Sequence, residues 1–92
     1  MTSLTCSVIV PARQCADMLL QSLAAILAST LPRDRWELIV VDDGSTDDTA
    51  EIAARFADRV LRLPGGPLGP AAARNQGAEV ARGTFLVFVD AD

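Results

Sequence analysis

Residues 37–49, ELIVVDDGSTDDT, contain the signals of a strand, a turn and the start of a helix. The run at residues 37–41 is continuous and β-branched, which is typical of a strand that is covered on both faces. A glycine then breaks the strand, and Ser45 or Thr46 can cap the helix that follows. The two aspartates after Thr46 favour that helix, because acidic side chains stabilise the positive end of a helix dipole. The stretch therefore predicts one strand–helix unit, with the helix ending near Ala57.

The same alternation of strand and helix continues on both sides of this stretch. Short apolar runs predict strands at residues 7–10, 60–63 and 85–89, and helical patterns predict helices at residues 16–30 and 71–81. Alternating strands and helices form βαβ units and a mostly parallel sheet, and right-handed crossovers limit the strand orders. We therefore predict an α/β fold, a Rossmann-like three-layer half domain with strand order 3-2-1-4 and helices on both faces.

Composition argues against several classes of protein. The chain has 92 residues, enough for one domain at most, and a formal net charge of −4, with all eight cations supplied by arginine. A nucleic-acid partner is not expected, because phosphate backbones are bound by clustered cations that this sequence lacks. No apolar run is long enough to span a bilayer, so no transmembrane segment is predicted. The spacing of Cys6 and Cys15 does not suggest a disulfide. Two free thiols favour a reducing, cytoplasmic location, and peripheral contact with a membrane stays open.

Polar residues cluster at the predicted carboxyl ends of the strands. In the order 3-2-1-4 the winding reverses between strands 1 and 4, and ligands bind beside such a switch point. Three sets of residues lie at this edge: Pro11, Ala12 and Arg13 after strand 1, Asp42 and Asp43 after strand 2, and Asp90 and Asp92 after strand 4. We expect a ligand site at this edge of the sheet.

The chemistry of these residues suggests specific partners and leaves plainer alternatives open. Asp90 and Asp92, two positions apart at a strand end, can both reach one hard cation such as Mg²⁺ or Mn²⁺, or can simply meet water. Asp42 and Asp43 can accept hydrogen bonds from a ribose or a uracil ring, or one can cap the turn while the other is solvated. Arg74, near the start of the third helix, offers donors suited to phosphate or to a strand-end aspartate, or is a surface residue.

Four segments taken together resemble a known family. In chain order they are SVIVP at residues 7–11, ELIVVDDGSTDDT at residues 37–49, ARNQG at residues 73–77 and GTFLVFVDAD at residues 83–92. Their order and spacing resemble the N-terminal half of a family 2 glycosyltransferase, over the chain from about Ser7 onward. The resemblance implies the GT-A fold, a nucleotide-diphosphate sugar such as a UDP- or GDP-sugar as donor, a divalent cation, and inversion at the anomeric carbon.

The resemblance also implies roles for the residues around the nucleoside. Pro11, Ala12 and Arg13 would line the nucleotide pocket. Asp43 would contact the base, and Asp42 would support the turn. Arg13 is a departure, because the family often has an aromatic residue or asparagine near this position.

Further roles are implied around the diphosphate. Arg74 would lie near the diphosphate or brace the acidic motif, and Asp90 would lie by the ribose. Asp92, with Asp90, would bind the Mn²⁺ or Mg²⁺ ion that bridges both phosphates. Such an ion acts as a Lewis acid and offsets the charge that develops on the departing nucleoside diphosphate.

The family continues beyond the point that corresponds to Asp92, with an acceptor-binding half and a carboxylate general base. We therefore expect residues 1–92 to form a single truncated donor-binding domain with no catalytic residue of its own and no transfer activity alone. We also expect self-association through the open outer edge of the strand at residues 85–89, because an apolar, uncharged edge is a template for pairing.

Two other functions stay open on the residues alone. A receiver-like signalling module would use Asp42 and Asp43 as its acidic pocket, although the chain has no lysine for a later strand end. A phosphohydrolase would use Asp90 as nucleophile and Asp92 as acid. Phosphate uptake at the first pair or phosphatase turnover would distinguish them.

Overall fold

A four-stranded parallel sheet forms the centre of the protein, and its strand order is β3-β2-β1-β4. The computed structural model describes residues 3–29 and 31–91. The elements, in chain order, are β1 (Cys6–Ala12), α1 (Ala16–Leu27), a 3-10 turn (Arg33–Arg35), β2 (Trp36–Asp42), α2 (Thr49–Phe56), β3 (Arg59–Arg62), α3 (Pro70–Val80) and β4 (Phe85–Phe88). The predicted fold class and the predicted order 3-2-1-4 are confirmed.

The core lies on both faces of the sheet. All seven residues of β2 are buried, as expected for a central strand whose two faces are both covered. On one face, Leu19 and Leu23 of α1 and Ala53 of α2 pack against the sheet. On the other face Ala73 of α3 packs in a second cluster. This three-layer arrangement brings the carboxyl ends of all four strands to one edge.

Strand β1 continues past Pro11, so the predicted end at residue 10 is wrong. Pro11 pairs with Val41 in the register of β1 and β2, and the ladder ends with Asp43 donating its N–H to Ala12 O at 2.9 Å. Proline has no N–H to donate to a neighbouring strand. Odd-numbered residues of β1, such as Ile9, form their backbone hydrogen bonds with β4. The pairing of β4 with β1 ends opposite Ile9, before it reaches Pro11. No ladder hydrogen bond is therefore lost at Pro11, and the strand carries Ala12 to the site edge.

The predicted capping of α2 by Ser45 or Thr46 is also wrong. The residue at the N-cap of α2 is Asp48, and its side chain makes no capping hydrogen bond. Ser45 Oγ instead accepts the N–H of Gln14 at 2.9 Å. Thr49 Oγ1 accepts the N–H of Cys15 at 3.1 Å. The loop after β2 and the first residue of α2 therefore cap the neighbouring helix α1.

The remaining boundaries differ from prediction by one to three residues. Helix α1 ends at Leu27, whereas the predicted end, Thr30, lies outside the described residues. Helix α3 begins one residue earlier than predicted because Pro70 occupies its first turn, where the missing N–H has no helical partner. No helix in the described part of the chain is long and apolar enough to cross a membrane.

Strand β4 is the outer strand of the sheet. It pairs with β1 on one side and with no described strand on the other. Its four residues, Phe85 to Phe88, are between 42% and 64% exposed, so both of its faces are open. The predicted open outer edge is present.

Candidate functional site

A cleft of about 340 Å³ lies at the carboxyl ends of the strands. Five of the predicted site residues line it: Pro11, Ala12, Arg13, Asp43 and Asp90. The opposite wall consists of the loop that enters α3, with Pro67 and Gly69, and of the first turns of that helix. The topology therefore brings most of the predicted residues together, whereas Asp42 and Arg74 do not line the cleft.

Asp90 presents an available carboxylate at the cleft. It follows β4, whose pairing with β1 extends to the N–H of Val89, which Ile9 O accepts at 3.0 Å. Arg74 Nη2 lies 3.5 Å from Asp90 Oδ1, and the two side chains are 41% and 70% exposed. Exposed pairs of this kind contribute at most about 1 kcal/mol, so the arginine does not prevent the carboxylate from binding a ligand.

Asp43 holds the loop of residues 64–69 against the end of β2. Its two carboxylate oxygens accept the N–H groups of Leu68 and Gly69, each at 2.7 Å, and the residue is 4% exposed. The approach is so close that a Cβ atom on Gly66 would lie 2.8 Å from Asp43 Oδ1. This contact was not predicted from the sequence, where the glycines and prolines of the loop were the available signal.

Asp42 lies beneath the cleft and is completely buried. Its Oδ1 accepts the N–H of Ser45 at 3.2 Å and thereby holds the turn after β2. Arg62 pairs with Asp42 in the register of β2 and β3. Its Nε lies 3.4 Å from Asp42 Oδ2, which is an ion-pair contact without hydrogen-bond geometry. Asp42 therefore acts in the structure through the turn and does not contact the cleft.

Gln14 is a further residue that sequence reasoning missed. It adopts a positive φ of 50°, an uncommon conformation for a residue other than glycine. Its side-chain Oε1 accepts hydrogen bonds from the backbone N–H and the hydroxyl of Thr46. Together with the bond from its own N–H to Ser45, these contacts fix the turn that follows Arg13.

The first helix does not offer a phosphate site at its N-terminus. The N–H groups of Gln14, Cys15 and Ala16 are bonded to side chains of Ser45, Thr49 and Asp47, which lie in the loop after β2 and at the first residue of α2. Dinucleotide-binding Rossmann folds place a pyrophosphate on those groups of the first helix. An anionic ligand at this cleft would therefore have to be bound by groups other than these three N–H groups.

Asp47 contributes the third of these acceptors and has a perturbed carboxyl. The hydroxyl of Thr49 donates a hydrogen bond to Asp47 Oδ1 and lowers the pKa of Asp47 below its usual value of 3.8. Desolvation is the second-largest effect and raises the pKa, while backbone N–H groups of Thr49 and Ala16 add to the lowering. The carboxylate is thereby favoured in the form that caps α1.

The donor set at the cleft fits a cation that arrives with a phosphate ligand. Within residues 3–29 and 31–91 there is no group of three or more acidic, cysteine or histidine side chains that could hold a metal ion. Asp43 already accepts two N–H groups, whereas Asp90 is open. Mg²⁺ and Mn²⁺ are commonly bound by one or two carboxylates plus substrate phosphates, which matches this edge. Asp92 lies outside the described residues.

Comparison with known proteins identifies the family. Residues 7–92 match the sequence model of glycosyl transferase family 2. The chain belongs to this family. Glycosyltransferase AglE of Haloferax volcanii is 37% identical over 90 residues, which cover 94% of this chain and 30% of that protein. A poly(ribitol-phosphate) beta-glucosyltransferase of Bacillus spizizenii is 30% identical over 91 residues, which cover 94% of this chain and 14% of that protein.

Solved structures of glycosyltransferases share the fold. The structure of TarS residues 1–349 from Staphylococcus aureus in complex with UDP-GlcNAc has a TM-score of 0.90 and 32% identity, covering 97% of this chain and 27% of that one. The mannosyltransferase PcManGT from Pyrobaculum calidifontis, in complex with GDP-Man and Mn²⁺, has a TM-score of 0.85 and 31% identity, covering all of this chain and 28% of that one. The chain therefore spans less than a third of the length of these relatives.

Proposed function

We propose that residues 1–92 form the donor-binding domain of an inverting glycosyltransferase whose donor is a nucleoside-diphosphate sugar. Family membership supports this proposal, and so do the ligands of two similar structures, UDP-GlcNAc for TarS and GDP-Man with Mn²⁺ for PcManGT. The observation that carries it is the open carboxylate of Asp90 at the mouth of a cleft of about 340 Å³. The donor is a UDP- or GDP-sugar.

The cleft offers distinct surfaces for the parts of such a donor. Pro11 and Ala12 supply an apolar wall, and the exposed Arg13 supplies a cation for the diphosphate. Asp90, together with Asp92, would hold the divalent cation. That ion would offset the charge on the departing nucleoside diphosphate. Arg74, on α3, lies next to Asp90 and would leave its carboxylate open to the cation.

Asp43 has two roles in this proposal. Its bonds to Leu68 and Gly69 shape the wall of the cleft. An ionised carboxylate has about four lone-pair sites, so two remain for a ring N–H of the base. The base contact that the resemblance implies is therefore compatible with the bonds that Asp43 already makes.

A test of the site compares Asp90→Asn with Asp48→Asn by calorimetric titration with UDP and GDP in Mn²⁺. The two variants lose the same charge, and the side chain of Asp48 makes no capping hydrogen bond. We expect the first variant to weaken binding at least about tenfold, because a metal-bound carboxylate is worth more than 1.4 kcal/mol, and the second to leave it unchanged. Equal affinities for both variants would contradict the role of Asp90.

The same preparations distinguish the other functions. Turnover of a phosphate monoester that is lost in Asp90→Asn would support a phosphohydrolase. Covalent phosphate uptake at Asp42 or Asp43 would support a receiver-like module. We expect neither result, and we expect no sugar transfer by the 92-residue chain alone, because the relatives with this activity are more than three times as long.

Self-association and location complete the proposal. Because β4 has an open edge and four exposed apolar residues, we propose that two copies of the chain pair through it, in a reducing, cytoplasmic environment. In sedimentation experiments Val87→Lys should weaken association by placing a charge on the edge. Gln21→Lys, which adds the same charge on an exposed part of α1, should not. A wild-type chain that is monomeric at high micromolar concentration would contradict the pairing.

A further inference from the structure

The acidic segment after β4 is attached to helix α1 by one side chain. Ser22 Oγ donates a hydrogen bond to Ala91 O at 2.7 Å, across 69 positions of the chain. Ala91 is the middle residue of the motif Asp90-Ala91-Asp92, and its methyl group is buried in the core cluster on the α1 face. The main chain between the two aspartates is therefore held both by packing and by a hydrogen bond.

Few other polar contacts restrain this segment among the described residues. The ladder between β1 and β4 ends with the bond from Val89 N–H to Ile9 O. The four residues of β4 are exposed, so packing at this end comes from Val89 and Ala91, which contact the core cluster on the α1 face. The ion pair between Arg74 and Asp90 is exposed and therefore weak. The bond from Ser22 is the interaction best placed to fix the direction of the chain at Asp90.

Ser22 is well placed for such a role. It lies in the middle of α1, between Leu19 and Leu23, which are completely buried and anchor the helix on the sheet. A serine in a helix commonly bonds to a carbonyl of its own preceding turn. Here its hydroxyl leaves the helix and reaches the acidic segment instead.

We propose that Ser22 is a positioning residue, which holds the main chain at Ala91 and thereby orients the carboxylate of Asp90 towards the divalent cation carried by a nucleoside diphosphate. This inference rests on the proposed function of the cleft. Ser22 does not touch the ligand. Its removal should therefore weaken the metal-dependent part of nucleotide binding and leave the metal-independent part unchanged.

The experiment measures UDP affinity for the 92-residue chain in Mn²⁺ and in excess chelator, for wild type, Ser22→Ala, Ser22→Thr and Gln21→Ala. Gln21 is the exposed neighbour in the same helix and serves as the control. We expect Ser22→Ala to reduce affinity in Mn²⁺ about fivefold to tenfold, with no change in chelator, because one directed hydrogen bond is lost. Ser22→Thr keeps a hydroxyl and should retain at least half of the affinity.

Stability must be separated from positioning. Alanine has a higher helix propensity than serine, which offsets part of the lost hydrogen bond, so we expect Tm of Ser22→Ala to change by less than about 5 °C. An equal loss of affinity in Mn²⁺ and in chelator, or no loss in either, would overturn the proposal. A Ser22→Thr variant as weak as Ser22→Ala would also count against it.

A second readout distinguishes this proposal from the proposed function. Mn²⁺ alone should broaden the NMR signals of Asp90 and Ala91 in wild type, and several times less in Ser22→Ala at equal concentration. If UDP does not bind wild type but this difference in broadening is present, the donor-binding function fails and the positioning role stands. If Mn²⁺ broadens both proteins equally, the positioning role is overturned whatever the result with UDP.

Discussion

Replacing Asp43 with asparagine should release the loop of residues 64–69 from the end of β2. In the native chain both carboxylate oxygens accept N–H groups at 2.7 Å, from Leu68 and Gly69. Hydrogen bonds to a charged group contribute about 1.5–3 kcal/mol each. Asparagine keeps one oxygen but turns an NH₂ donor towards the other N–H. The net loss is therefore about 3 kcal/mol in the free energy of local opening.

Amide hydrogen exchange measures this change directly. A loss of about 3 kcal/mol corresponds to roughly a hundredfold faster exchange at the amides of Leu68 and Gly69, since each 1.4 kcal/mol is a factor of ten. Asp48→Asn is the matched control, because it removes the same charge from a side chain that makes no capping hydrogen bond. Exchange at Leu68 and Gly69 that changes less than about threefold in Asp43→Asn would refute the assignment of Asp43 as the residue that holds this loop.

Three further predictions concern stability. Gly83→Ala should destabilise the fold by about 2–3 kcal/mol in urea titrations. The added Cβ would lie 2.4 Å from the carbonyl carbon of Cys6 and would break the hydrogen bond from Gly83 N–H to Ser7 Oγ. An unchanged urea midpoint would contradict this prediction. Gly77→Ala should lower the free energy of unfolding by about 1 kcal/mol, because a Cβ atom 2.5 Å from Ile9 Cγ2 overpacks the core. The cost of this overpacking exceeds the stabilisation that alanine gives through its higher helix propensity. A stabilised variant would show that α3 can move away from the sheet. The hydrogen bond from Thr49 lowers the pKa of Asp47 in the folded state. Ionised Asp47 therefore stabilises the fold at pH values above the pKa of 3.8 that the group has in the unfolded chain. This stabilisation is lost as the pH falls through the lower pKa of the folded state. The Tm difference between wild type and Asp47→Asn should therefore shrink as pH falls from about 5 to about 2.5, and a difference that is constant with pH would count against the bond.

The order of the elements could be predicted because it depends on local patterns. The run at residues 38–41 is continuous and apolar, and the structure buries every residue of β2. Alternation of strands and helices then restricts the topology, since crossovers are right-handed. Boundaries were less predictable, because they depend on neighbours. Pro11 continues β1 only because the adjacent strand has already stopped pairing at that point.

The positions of the site residues were predictable, but their partners were not. Strand ends of a parallel sheet meet at one edge, so Asp43 and Asp90 could be placed near each other from sequence. The partners of Asp43 come from positions 25 and 26 residues away, and the partner of Ser22 is 69 residues away. Such contacts depend on how the loops fold back, which no local pattern shows. The same reason explains why Ser45 caps α1 and not its own helix.

The central claim is that this cleft binds a nucleoside diphosphate through a divalent cation held at Asp90. Calorimetric titration of the wild-type chain with UDP, in Mn²⁺ and then in excess chelator, tests it most directly. We predict high-micromolar affinity, about −5 kcal/mol, in Mn²⁺ and much weaker binding in chelator, because the net charge of −4 repels a diphosphate without the cation. UDP that binds equally well in chelator, or that does not bind in Mn²⁺, would contradict the claim.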